Sequence, residues 1–143
     1  MNKYSHYKNE LKEIVNTKVN QSDWKLIRKL NLPKQYNEPS TGEIKKGVVL
    51  DVEATGLSIG HDDVIQLALL PFEYEVPSGK ILSIKKEEAF DGLREPRIPI
   101  SIEASLITGI TNEMVINKKI ESKDVENIIN NTDLIIAHNA SYD

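Results

Sequence analysis

Apolar positions change their spacing twice along the chain. Among the first 45 residues they recur at helical intervals, as Leu11, Ile14 and Val15 and then as Trp24, Ile27 and Leu30 behind Ser22-Asp23, a pair suited to capping a helix. Asn31-Leu32-Pro33 closes the second helix, and the polar stretch from Lys34 to Lys46, with Pro39 and Thr41-Gly42, reads as a connector. An amphipathic stripe needs a surface to cover, so these helices are expected to pack onto the domain that follows. From Gly47 the pattern is that of strands. Gly47 to Glu53 is rich in β-branched residues and stops at the turn signal Thr55-Gly56, and Val64 to Tyr74 forms a second apolar run. Pro77-Ser78-Gly79 then turns the chain into a third candidate strand, Lys80 to Phe90, and so short a turn requires antiparallel neighbours.

Beyond Pro96 and Pro99 the spacing is helical again. Short helices are expected over Ile102 to Leu106 and Asn112 to Val115, separated by Thr108-Gly109-Ile110-Thr111. Val125, Ile128 and Ile129 mark a third helix, which Asn130-Asn131 can end. The run Leu134-Ile135-Ile136, entered from a helix, suits a buried strand parallel to one of its neighbours. His138 to Asp143 reads as a strand end passing into a new helix. The layout is α/β: three antiparallel strands, helices, then a parallel strand, with no internal repeat.

Composition narrows what such a layout can do. A chain of 143 residues fits one domain with an appendage, here a helical extension and connector over 1–45 and a domain over 46–143. Its 39% hydrophobic and 28% charged residues suit a globular core. No run approaches the ~20 apolar residues of a membrane span and the start is polar, so a cytoplasmic protein with no membrane contact is expected. The chain has no cysteine, which leaves oxygen or imidazole ligands for any metal and favours magnesium or manganese. A net charge of -4 does not attract a phosphate backbone over a broad surface, so contact with nucleic acid would be local and helped by bound cations.

Asp51 and Glu53 lie two apart in a strand, so their side chains share a face, with Cα atoms roughly 7 Å apart. They can converge on one ion; an acidic pair at a strand end can equally be solvated. His61 in Gly60-His61-Asp62-Asp63 has the composition of a polar hairpin loop, and Lys45-Lys46 and Lys85-Lys86 are too few for a basic groove.

In its longer pattern the chain resembles the DEDD-type 3'-to-5' exonucleases, the group of the polymerase III proofreading epsilon subunits and RNase T. The first motif of that family, Asp-x-Glu-Thr/Ala-Thr-Gly-Leu, stands as Asp51-Val52-Glu53-Ala54-Thr55-Gly56-Leu57. Its Gly-Ile-Thr segment stands as Gly109-Ile110-Thr111, and its second motif as His138-Asn139-Ala140-Ser141-Tyr142-Asp143. The resemblance implies an RNase H-like mixed sheet and hydrolysis of phosphodiester bonds at the 3' end of a single strand, DNA rather than RNA, by two magnesium or manganese ions. It implies that Asp51 bridges the ions, that Glu53 binds one and orients the attacking water, and that Asp143 holds the other. Thr55, Gly56 and Leu57 would line the pocket of the terminal nucleotide, and His138 and Asn139 would shape the turn before the second-motif helix.

Family members carry a third motif downstream, with a general base and a fourth carboxylate, and a fifth strand; the 143 residues contain neither. Gln66 stands where the family often has Glu, and Thr108 where it often has His. The resemblance therefore implies weak or no turnover by this chain alone, together with a bare edge at Leu134 to Ile136 that invites a second chain or self-association. Two rival readings are a catalytically inactive remnant that binds strand ends or protein, and a haloacid-dehalogenase-like phosphatase. The phosphatase would need Asp where Glu53 stands and parallel βα units where the hairpins fall.

Overall fold

A long antiparallel hairpin forms the middle of the sheet. Strand β1, Glu43–Ala54, pairs with β2, Val64–Val76, from Glu43 opposite Val76 to Ala54 opposite Val64. These and all later features belong to residues 31–139 apart from 32, 34, 39 and 59, which the computed structural model describes. The chain divides into the units Met1–Asn31 and Leu32–Asp143. The helices expected around Leu11 and Trp24, and Asp143, lie outside the described residues.

Strand β1 starts four residues before the Gly47 expected from the apolar pattern. The added segment is polar and exposed at its start, and it is held by its partner: Lys46 lies opposite Glu73, an opposite-charge pair across the ladder. At the far end of β2, Gly79 takes a positive φ of 71° and its N–H donates to the Glu75 carbonyl at 2.8 Å, closing the turn. Ser40 and Ser78 hydroxyls donate to the Glu75 carboxylate, which they hold below the usual range, Ser40 foremost.

The third strand is two strands. Ile81–Ile84 (β3) and Phe90–Leu93 (β4) both pair antiparallel with β2 on the edge away from β1, on either side of a 3-10 turn at Lys86–Glu88. Ile84 faces Phe72 and Phe90 faces Leu69, so six steps of chain lie opposite three steps of β2. The surplus residues have no partners in the ladder and fold into the turn, with Lys85 N–H on the Pro71 carbonyl at 2.9 Å.

Three short helices follow. Ser101 caps α1, Ile102–Thr108, by accepting the Ala104 N–H at 3.1 Å, and Gly109 ends it in the left-handed conformation with φ 74°. Helix α2 spans Asn112–Val115 and α3 spans Ser122–Ile129. Ile65 from β2 packs with Ile100, Ile110 and Val115, and Leu93 and Ala104 close against this cluster. Each such side chain withdrawn from water contributes about 1.5–3 kcal/mol before conformational entropy is counted. Asn112 ties α2 to the preceding segment as a strand would: its Oδ1 accepts the Ile100 N–H at 2.8 Å and its Nδ2 donates to the Ile100 carbonyl at 2.9 Å.

Strand β5, Leu134–Ala137, runs parallel to β1 from Gly47 opposite Leu134 to Leu50 opposite Ala137. The sheet order is β3-β2-β1-β5 with β4 also beside β2, the mixed α/β arrangement of an RNase H-like fold. Periodicity alone reads Leu134 to Ile136 as buried, yet these residues are 39–49% exposed. Among the described residues nothing pairs with the outer edge of β5, so its apolar side chains have a neighbour on one flank only. No helix among the described residues is long and apolar enough to cross a membrane.

Candidate active site

The hairpin register places the acidic pair. Asp51 lies opposite Ala68 and Glu53 opposite Gln66, so both acids and both partners project from one face of the sheet. Asp51 is about half exposed, with a side-chain accessibility of 51%. The small Ala68 beside it leaves room above the sheet. Asp91 of β4 lies on the other side of Ala68, and its carboxylate accepts a hydrogen bond from Gln66 Nε2 at 2.7 Å. Gln66, one of the two noted departures from the expected pattern, is therefore anchored to the neighbouring strand.

Immediately after Glu53 the ladder slips, because Ala54 pairs with Val64 and Ile65 is skipped. The slip frees β1 to leave the sheet as the Thr55-Gly56-Leu57 turn. Thr55 is buried, and both bonding capacities of its hydroxyl are used: Oγ1 donates to Asp62 Oδ1 at 2.8 Å and accepts the Asp63 N–H at 3.0 Å. Its N–H donates to the Asp63 carbonyl at 2.9 Å. The second oxygen of Asp62 accepts the Ser58 N–H at 2.8 Å. A Cβ on Gly56 would stand 2.5–2.8 Å from the Asp62 carboxylate, so that carboxylate occupies the space of a side chain at this position. Leu57, next in sequence, is 82% exposed.

Asp63 holds the base of the loop. Only 6% exposed, it accepts the Arg97 N–H at 2.8 Å, Nε at 3.0 and 3.1 Å and Nη2 at 2.8 Å. The hydrogen bonds from Arg97 hold its carboxyl below the ordinary 3.8, against the opposing effect of burial, and Arg97 is raised in turn. The loop composition read from sequence is correct, but Asp62 and Asp63 are the fastenings of the turn. The separation of 34 residues between Asp63 and Arg97 hides that role from any local pattern.

The parallel pairing of β5 with β1 brings the second motif to the first. Leu50 is opposite Ala137, so His138 follows alongside Asp51, and its Nδ1 lies 3.7 Å from Asp51 Oδ1. The imidazole is exposed, and the His138 N–H reaches the Leu50 carbonyl at 3.4 Å. Asn139 occupies the turn that follows. The pair Asp51 and Glu53 suits a hard divalent cation by donor type and by shared face. Two carboxylates do not close a coordination shell, and among the described residues no group of three His, Cys, Asp or Glu could hold a metal.

Comparison with known proteins points in one direction. The sequence pattern of the RNase T family, described as exonuclease, matches residues 48–143. The chain is 34% identical over 102 residues to the PolC-type DNA polymerase III of Bacillus subtilis (strain 168), a match that covers 67% of this chain and 6% of that protein. It is 34% identical over 116 residues to the PolC-type DNA polymerase III of Oceanobacillus iheyensis, covering 78% of this chain and 7% of that one. The chain thus spans less than a tenth of these relatives' length. Among solved structures it is similar to exonuclease X in complex with 5' overhanging duplex DNA, with 30% identity, 67% of this chain and 50% of that chain covered, and a TM-score of 0.45.

Proposed function

The chain belongs to the RNase T exonuclease family, and from that premise we propose that it is a 3'-to-5' exonuclease domain that engages the 3' end of single-stranded DNA. One observation carries this reading: Asp51 and Glu53 share a face of β1 at the point where the strand leaves the sheet into an exposed turn. DNA is favoured over RNA because the similar PolC-type proteins are DNA polymerases, and we place the chain in the cytoplasm.

Asp51, with its half-exposed carboxylate, and Glu53 and Asp143 would hold magnesium or manganese. When bound, such ions supply Lewis acidity to the scissile phosphate and offset the negative charge of a chain that is itself acidic. Glu53 aligns the attacking water, and His138 steadies the Asp51 carboxylate from the β5 side. The Thr55 hydroxyl is engaged within the fold, so Thr55 acts on substrate through the turn it holds. Gly56 lets the strand end approach the backbone, and Leu57 offers an apolar surface to the terminal base. Hydrolysis also needs a group to take the proton of the attacking water, and carboxylates that hold cations are poor bases for it. Binding of the strand end is therefore the property on which the reading stands, and trimming by this chain alone is slow.

The test is fluorescence anisotropy with a 5'-labelled single-stranded oligonucleotide whose last linkage is a phosphorothioate, with and without manganese. Binding that requires manganese and a free 3' hydroxyl, and that Asp51→Ala removes, is expected. Equal binding by Asp51→Ala, or by an oligonucleotide with a blocked 3' end, refutes the reading. The exposed edge of β5 favours a second property, pairing with another polypeptide along Leu134 to Ile136. Light scattering of the purified chain that gives a monomer mass at all concentrations excludes self-pairing.

A further inference from the structure

The ladder pairs stop just before the turn that carries Thr55, Gly56 and Leu57. Ala54 makes the last pair of β1 with β2, after the slip in register, and the chain then departs. The Thr55 N–H still reaches the Asp63 carbonyl and the Asp62 N–H the Ser58 carbonyl, each at 2.9 Å, and one acid adds to these backbone bonds. The Asp62 carboxylate takes the Thr55 hydroxyl on one oxygen at 2.8 Å and the Ser58 N–H on the other at 2.8 Å, so it spans the turn from its first residue to its exit. It does so in the volume that a side chain on residue 56 would occupy, 2.5–2.8 Å from the position of such a Cβ. The two residues between the clamped ends are Gly56 and Leu57, and Leu57 stands 82% exposed. A large apolar side chain projecting from a fastened turn, rather than folded back under it, can offer a terminal base an apolar surface to pack on.

We infer that Asp62 is the positioning residue of this turn: by bridging Thr55 and Ser58 it holds Gly56 and Leu57 in the conformation that receives the terminal nucleotide. The inference rests on the exonuclease reading and deepens it. Asp62 touches no substrate and is no metal ligand; it acts through the turn. Its role differs from that of Asp63, whose bonds to Arg97 fasten the base of the loop to a segment 34 residues away. The glycine and the acid form one unit, since the backbone can lie this close to Asp62 only where residue 56 has no side chain.

The same anisotropy assay, with manganese and the phosphorothioate-ended oligonucleotide, tests this. Asp62→Ala removes both hydrogen bonds to a charged acceptor and is expected to weaken binding about tenfold or more. Asp62→Asn keeps one carbonyl acceptor for the two donors and is expected to restore most of the loss, to within about threefold of the parent. Gly56→Ala should weaken binding in the parent, where its Cβ both displaces the Asp62 carboxylate and crowds the strand end, and weaken it by a smaller factor in the Asp62→Ala background, where only the crowding is left. Thermal unfolding separates this from general damage, because Asp62 lies in a surface loop and both variants at this position should melt within a few degrees of the parent.

Binding by Asp62→Ala within twofold of the parent overturns the inference, as do independent, additive effects of Gly56→Ala and Asp62→Ala. These outcomes leave the exonuclease reading standing if Asp51→Ala still abolishes binding. A parent chain that does not bind the oligonucleotide at all overturns both.

Discussion

Gly47→Ala tests whether the sheet that carries the acidic pair is packed as described. Gly47 lies opposite Phe72 in the central hairpin, and a Cβ there would stand 2.6 Å from both Cε atoms of the ring and nearer still to Cζ. Carbon atoms in ordinary contact are about 3.5–4.0 Å apart, so the ring would have to retreat by roughly 1 Å or more. Phe72 is 5% exposed and has little room to do so. Overpacking of this kind costs about 1–3 kcal/mol, while the change from glycine to alanine in a strand returns about 0.5–1 kcal/mol through backbone entropy. The net expected loss is about 1–2 kcal/mol. Phe72→Leu removes the atoms that clash, so in that background Gly47→Ala should be neutral or stabilising. The resulting coupling between the two positions is about 1.5–3 kcal/mol, measured by urea unfolding of the parent, both single variants and the double variant at constant m. Gly47 shares its face with Asp51 and Glu53, so the cycle reports on the surface that bears the acids. Equal effects of Gly47→Ala in both backgrounds would refute the packing.

Asp51→Asn should weaken manganese binding about tenfold or more by calorimetry while leaving the unfolding midpoint nearly unchanged, because the side chain is half exposed and makes few contacts. Ile65→Ala removes a fully buried side chain from the Ile100, Ile110 and Val115 cluster and should cost about 2–5 kcal/mol in urea unfolding; a loss near zero would mean the cluster is not a core. Asn112→Ala strips the Ile100 N–H and carbonyl of their partners and should cost about 1–3 kcal/mol in urea unfolding; a loss near zero would mean that these bonds do not hold α2. Asp63 gives a pH signature. Its native carboxyl is held below 3.8, so the unfolded chain takes up the proton first as acid is added. Its contribution to stability is complete above about 3.8 and is lost as pH falls through the lower native value. Asp63→Asn should therefore flatten the acid limb of the stability profile, and a limb as steep as that of the parent would contradict the Arg97 pairing.

What could be read from sequence divides by distance along the chain. The shared face of Asp51 and Glu53 follows from strand alternation within three residues, and the capping of α1 by Ser101 and its end at Gly109 follow from equally local chemistry. The break between β3 and β4 does not, because it arises from a mismatch of chain length against β2 rather than from any breaker in Lys85 to Ala89. The start of β1 is hidden for the same reason: three of the four residues from Glu43 to Lys46 are charged, and it is Glu73 to Val76 across the ladder that make them a strand. The apolar run Leu134 to Ile136 by itself predicts burial, while the bare edge expected there from the family layout agrees with its exposure, which depends on which neighbours flank the strand. The approach of His138 to Asp51 likewise depends on the register of a parallel pair.

The first motif itself is divided between ligand and fold. Matching Asp-Val-Glu-Ala-Thr-Gly-Leu to a family pattern tempts one to assign every polar or small residue in it to a ligand. The bonds of Thr55 argue against that. A buried hydroxyl that donates to Asp62 and accepts from Asp63 has no proton left for a substrate, so the threonine belongs to the fold of the turn. Gly56 is required by Asp62 as much as by an incoming strand, since the carboxylate already fills the space beside it. The half-exposed Asp51 and the exposed Leu57 are parts of the motif that face outward, and Glu53 shares the sheet face of Asp51. On this division the spacing from Glu53 to Leu57 is set by the loop that returns as Asp62 and Asp63. A change in that loop then acts on the strand end as surely as a change in the motif.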